Sequence, residues 1–255
     1  MVKKIAIFIV LALVVFVSVG VAVASHSWGG YHWARTANPF TLKLGDNVSS
    51  AWDGVLATAS TDWSESLVLN TTVVAGQGKT NCRATRGRVE VCNRTYGNTG
   101  WLGVAQVWVS GSHIVQGTVK ANDTYFNMSQ YNTTAWRNLV LCQEIGHTFG
   151  LGHQDEDFNN QNLGTCMDYT NDPSTNQHPN QHDYDQLETI YGHFDSITTL
   201  SRSLLGAGQR KDQGDFENSA EWGRGLRKDG HGRTSLYERN LGNGEKIFTF
   251  VIWAD

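Results

Sequence analysis

The chain has 255 residues, 40% of them hydrophobic and 17% charged, with a formal net charge of −4. That length suits one domain of moderate size plus an extension, and the acidic balance argues against a nucleic-acid partner. The four cysteines include no C-x-x-C pair, so they point to an oxidising compartment and not to a cysteine-bound zinc.

Residues 1–24 hold Lys3 and Lys4, an apolar run from Ile5 to Val19, and Ala22-Val23-Ala24 before Ser25. This is the pattern of a secretory signal peptide cleaved after Ala24, which predicts a secreted protein. An uncleaved anchor is the alternative, and the one way this chain would engage a membrane. Setting Lys3 and Lys4 aside leaves 18 basic against 24 acidic residues, a net of about −6 on the mature chain. His26 to Asn38, rich in Gly, Trp and His, reads as an irregular arm. Phe40 to Leu44 alternates as a strand. Asp46 or Asn47 is placed to cap a helix over about Ser49 to Ser64, with Ala51, Val55, Leu56 and Ala59 on one buried face. Leu67 to Val74 is the next strand, and Trp33, Trp52 and Trp63 read as core anchors.

Gly76 to Gly87 is polar and turn-rich, and Arg88 to Cys92 returns as a short strand. Trp101 to Val109 and Ile114 to Lys120 are apolar strands about the turn at Ser110-Gly111-Ser112. Asn132-Thr133-Thr134 caps a helix running to about Phe149, on which Trp136, Val140, Gln143 and His147 share a face. Polar groups on an apolar stripe need partners, and a metal is one. Asp155 to Gly164 is dense in acids and amides. Asn160 and Cys166 stand where a calcium-binding EF-hand needs Gly and Glu, which favours a solvated loop. Pro179 opens a last helix with Leu187, Ile190 and Tyr191 buried, and His178, His182 and His193 are assigned to surface or capping positions. Residues 196–255 are rich in Gly, Arg and Asp, loop-like over Lys211 to Arg233, and end in an apolar strand from Lys246 to Trp253. That strand needs a partner, either within a small C-terminal addition or on the main domain. No internal repeat is visible.

The chemistry concentrates in residues 143–155, QEIGHTFGLGHQD. Glu144 and His147 are three apart and so neighbours on one helix face. Gly150 lets the backbone turn out of the helix and bring His153 back towards His147. Two imidazoles and a carboxylate then converge, the carboxylate free to act on a water held by a metal.

This stretch resembles the metzincin motif HExxHxxGxxH, with Gln143 in place of the first His. TCMDYT at 165–170, with Met167 and Tyr169, is similar to the Met-turn of that family, in the M-x-Y spacing of astacins and serralysins. Asp183, Asp185 and Tyr191-Gly192 resemble the last helix of matrixin catalytic domains. The resemblance spans roughly Trp33 to Phe194. It implies an α+β, zincin-like (metzincin) domain of matrixin or astacin type, with a twisted mixed sheet, active-site helix, Met-turn and C-terminal helix. The implied division is residues 1–24 signal peptide, 25–195 catalytic domain, and 196–255 an extension of unassigned role.

By the same resemblance, Zn2+ is the cofactor, held by Gln143, His147 and His153. Glu144 is the general base, Tyr169 stabilises the oxyanion, and Gly150 and Met167 are structural. The side-chain oxygen of Gln143 lies as many bonds from Cα as the histidine Nε2, and both groups are neutral. Amide oxygen is nonetheless a poorer, harder donor, which admits manganese, calcium or iron and leaves water or Asp155 as alternative third ligands. Gly100 to Gly111 resembles the edge strand above the matrixin cleft, so Leu102, Gly103, Val104 and Ala105 are where an extended peptide substrate is expected to pair; an edge strand without a ligand is the alternative. Three disulfide pairings are possible. The preferred one joins Cys82 to Cys92 across a short hairpin and Cys142 to Cys166, which the Met-turn resemblance makes a tie between the helix and its floor. Ala24 to Trp33 leaves no room for the cysteine-switch prosegment of matrixins. The implied function is a secreted metal-dependent endopeptidase acting on protein or peptide substrates. The alternative is a catalytically impaired relative that binds a peptide or partner without cleaving it.

Overall fold

The computed structural model describes residues 25–77, 81–201 and 218–255, so the expected signal peptide lies outside the described residues. Among the described residues no helix is long and apolar enough to cross a membrane. The elements are β1 (His32–Trp33), β2 (Phe40–Asn47), α1 (Asp53–Trp63), β3 (Leu69–Ala75), β4 (Arg88–Arg94), β5 (Trp101–Ser110) and β6 (His113–Asn122). They continue with α2 (Asp123–Phe126), α3 (Thr134–His147), α4 (Gln181–Ile190), β7 (Arg224–Lys228), β8 (Thr234–Gly242) and β9 (Glu245–Trp253).

The strands form one mixed sheet in the order β3-β2-β4-β6-β5-β9-β8-β7, with β1 alongside β6. Pairing is parallel from β3 through β6 and antiparallel from β6 through β7. In β2 the alternation read from sequence holds: Phe40, Leu42 and Leu44 are buried while Thr41 and Lys43 are exposed. β5 and β9 are covered on both faces, which is why their sequences are nearly continuous apolar runs. Leu102, Ala105, Phe248, Phe250 and Ile252 face the main core with α1 and α3, whereas Trp101, Val104, Trp108, Ile247 and Val251 pack into a second cluster with Trp222.

Local chemistry sets the helix ends. Thr133 is extended and its side chain accepts the amide of Trp136, capping α3. Asn180 and Asp183 exchange side-chain and backbone bonds in a capping box at α4. The expected capping of α1 by Asp46 or Asn47 does not occur. Both remain in β2, Asp46 accepting from the amide of Val48, and the helix starts after Trp52 without a side-chain cap. The arm before Asn38 contains the buried strand β1, and the loop-like stretch 211–233 contains β7. Tertiary pairing supplies in both places what local sequence did not signal.

Two disulfides join Cys82 to Cys92 and Cys142 to Cys166, and no free cysteine is present. The second spans 24 residues and fixes α3 to the segment carrying Met167. Replacing Cys142 and Cys166 together by serine is expected to lower unfolding free energy by about 3–4 kcal/mol, from the closure entropy of a loop that long. A denaturant titration showing under about 1 kcal/mol would mean the bridge adds little to stability.

Candidate metal centre

α3 lies across β5 and β6 with Gln143, Glu144 and His147 all buried. Close approach is possible because β5 carries glycine where the helix passes. A Cβ on Gly103 would stand 2.5 Å from Val140 Cγ1 and 2.9 Å from Glu144 Oε1. On the helix, Gly146 admits Met167 and Trp63: a Cβ there would meet Met167 Sδ at 2.6 Å and the Trp63 ring at 2.8 Å. Met167 thus lies directly against the helix backbone, one turn from the buried polar side chains.

The chain leaves the helix at Gly150, whose φ is +103° and whose Cβ would stand 2.5 Å from the carbonyl of Tyr31. Only glycine meets both conditions without strain. The turn brings His153 back to His147, with ring centroids 4.5 Å apart and planes at 86°. The two imidazoles are oriented alike. His147 Nδ1 donates to the carbonyl of Leu151 at 2.8 Å, and His153 Nδ1 donates to Glu156 Oε1 at 2.8 Å. Each bond fixes the neutral tautomer with its lone pair on Nε2, the arrangement in which histidine binds metals. Glu156 is held in place by Arg227, 3.4 Å away. Burial raises the Glu156 pKa, but the bonds from His153 and Arg227 outweigh it and bring the carboxyl below its ordinary value.

Gln143 donates its amide to the carbonyl of Cys166 at 2.8 Å, which leaves its Oε1 as the free end. Among the described residues, Gln143 Oε1, both carboxylate oxygens of Glu144 and His153 Nε2 are buried with no hydrogen-bond partner of normal geometry. Four such atoms around one helix are costly, at about 1–3 kcal/mol each. Burial pushes the Glu144 carboxyl well above its usual pKa, and the amides of Ala105 and Ile252 offset this only in part. Burial, followed by the neighbouring His153, holds His147 well below its usual value and so keeps it neutral. The Asp155 carboxylate accepts the Asp157 amide at 2.6 Å and Asn160 Nδ2 at 2.7 Å, holding its own loop.

The expected peptide-binding edge is not an edge. Leu102 to Ala105 lie in β5, which pairs antiparallel with β9 on the side away from β6; Val104 faces Val251 and Ala105 faces Phe250. The chain's own strand takes the place assigned to substrate, because an uncovered row of peptide groups bonds whatever strand reaches it. β9 also seals the polar cluster. Phe250 stacks on His147 at 4.1 Å between centroids, and Tyr169 Oη donates to the carbonyl of Val251 at 3.2 Å. Burial, then the carboxylates of Glu156 and Glu144, raise the Tyr169 pKa well above its usual value, so it is a proton donor. Phe158 stacks between Tyr169 and His231, and the Gly230 amide bonds to Glu156, completing the cover. The sequence carried one sign of these residues, the apolar run from Ile247 to Trp253, interrupted only by Thr249, which pointed to burial on both faces.

No family model matches the chain, and no curated protein matches it. Among solved structures it is similar to one titled "Structure of Myroilysin", at 12% identity and a TM-score of 0.35, covering 66% of this chain and 83% of that one. It is also similar to high choriolytic enzyme 1, a hatching enzyme zinc-protease from Oryzias latipes (medaka fish), at 11% identity and a TM-score of 0.35, over 63% of this chain and 94% of that one.

Proposed function

We propose that the chain is a metal-dependent endopeptidase, exported, and held closed by its own C-terminal strand. Residues 25–195 carry the site and the extension 196–255 covers it. The observation that carries this reading is the pair of buried donor atoms without a hydrogen-bond partner, Gln143 Oε1 and His153 Nε2, beside a His147 whose Nδ1 is already committed and a Glu144 carboxylate whose burial the amides of Ala105 and Ile252 offset only in part. Two imidazoles and an amide oxygen are a neutral donor set that fits one divalent cation, and zinc is the ion that suits the two nitrogens best. Such an ion supplies a Lewis acid that acidifies water and polarises a carbonyl.

The protein's own groups do the rest. Glu144, with its pKa raised by burial, takes the proton of the attacking water and returns it to the leaving amine. Tyr169 donates to the carbonyl oxygen, as it does to that of Val251. β5 holds the peptide extended through its backbone, as it holds β9. β9 therefore lies as a substrate would, with one carbonyl on Tyr169 and the next amide, that of Ile252, towards Glu144. Beside it a cleft of about 310 Å³, lined by Leu102, Tyr131, Trp136, Phe158, Asn171 and Ile252, offers room for a substrate side chain. The completeness of β9 pairing also favours a second reading, a closed protein that keeps the ion and does not cleave.

Elemental analysis of the purified mature chain is expected to show a zinc equivalent that is absent from His153→Ala. No difference between the two proteins, with zinc supplied, would remove this site from the reading. Gln143→His is expected to tighten zinc roughly tenfold, about 1.4 kcal/mol, because imidazole is the better donor. An unchanged affinity would place residue 143 outside the ligand set.

A further inference from the structure

We propose that His32, His193 and Asp195 form a second cation site, suited to zinc, with His113 hydrogen-bonded to its carboxylate. It shares no residue with the centre above and does not depend on that centre being filled. His32 Nε2 lies 3.1 Å from His193 Nε2 and 3.4 Å from Asp195 Oδ1, and His193 Nε2 lies 3.9 Å from that same oxygen. Ligands bound tetrahedrally to zinc at 2.0–2.1 Å stand about 3.3–3.4 Å apart, so these three atoms already mark one face of such a tetrahedron. His113 Nε2 lies 3.1 Å from Asp195 Oδ1 and approaches from the neighbouring strand, since His113 and His32 are register partners of β6 and β1.

The surroundings orient each donor. His32 Nδ1 donates to the carbonyl of Gly30 at 3.1 Å, which puts the lone pair of the neutral ring on Nε2, facing the cluster. Arg35 holds the other carboxylate oxygen of Asp195, Nη1 to Oδ2 at 2.9 Å, and also bonds the carbonyl of His193. Oδ1 is thereby aimed at the imidazoles. In the neutral tautomer a lone pair of His32 confronts a carboxylate oxygen, an arrangement that a cation relieves. Asp195 is nearly buried while half of the His193 ring is exposed, which leaves a path for an ion.

The site would join three distant segments: the N-terminal arm, the start of β6 and the chain after α4. The same arm reaches the metal-centre helix, where Trp28 Nε1 donates to the carbonyl of His147 and Trp33 Nε1 to that of Thr148. Its role is thus to staple the arm that holds the end of α3.

The test is calorimetric titration of the metal-stripped full chain with zinc, alongside His193→Ala and His147→Asn. One equivalent is expected to survive in His147→Asn and to weaken at least about 100-fold in His193→Ala, with the zinc-induced rise in Tm smaller in the latter than in the parent. Unchanged binding in His193→Ala overturns the proposal, and so does a His147→Asn protein that binds no zinc. Should a variant not fold, zinc-edge anomalous scattering from crystals of the unmodified chain decides: a peak between His32, His193 and Asp195 supports the site. A saturated crystal without one means that a protonated imidazole, not a metal, bridges to Asp195.

Discussion

A chain lacking residues 219–255 is expected to cleave an unfolded protein at least about 100-fold faster than the full chain, with cleavage stopped by a chelator. The full chain holds β9 against β5 along nine register pairs, from Trp101–Trp253 to Ser110–Glu245. A tethered strand competes at an effective concentration of millimolar order, so a segment of roughly 10 µM intrinsic affinity suppresses activity by about two orders of magnitude. Removing it uncovers β5 and frees His147 from Phe250 and Tyr169 from Val251. Deletion also exposes core positions, since Leu236, Phe248, Phe250 and Ile252 belong to the main cluster. Phe250→Ala in the full chain is the gentler version. It loses about 3–5 kcal/mol of packing and the ring on His147, and is expected to raise cleavage several-fold while the fold persists. Two folded, zinc-loaded variants that remain silent would leave the non-cleaving reading in possession.

In the opened chain, Glu144→Gln is expected to lower turnover by about 10²–10⁴, the usual contribution of a positioned acid–base group. Zinc content should not change, because Glu144 is outside the proposed donor set. Stability should move the other way. Glu144 is buried, its oxygens have no partner of normal geometry, and the amides of Ala105 and Ile252 offset the burial only in part. A carboxylate in that position is held at a cost that a neutral amide reduces. The pair of measurements separates roles cleanly: lower turnover with equal or higher Tm marks a group kept for chemistry, whereas loss of both marks a structural one. Turnover equal to that of the parent would move the base to another residue.

Much of the helix and its bend was legible in the sequence. Thr133 caps α3 where expected, Gly150 takes the positive φ that its place after His147 demands, and His153 returns to within contact of His147. These are local effects, set by a capping hydroxyl, a missing Cβ and a spacing of a few residues, and such effects are written in adjacent letters. The start of α1 departs from the sequence expectation for the opposite reason. Asp46 and Asn47 have capping side chains, but β2 extends through them and its partners β3 and β4 claim the backbone.

The amino-acid sequence by itself determined that an amide, a carboxylate and an imidazole lie within one buried stretch of α3, and that one glycine turns a second imidazole back onto the first. Only the tertiary structure decided that the side of β5 away from β6, expected from the sequence to pair with a peptide, is taken by β9, and that His32, His113, His193 and Asp195 come together. Strand pairing is made by backbone groups that every residue carries, so the partner of an apolar strand is not encoded in its letters. The second histidine cluster is assembled from segments some eighty residues apart or more, on either side of β6, and no local spacing announces it.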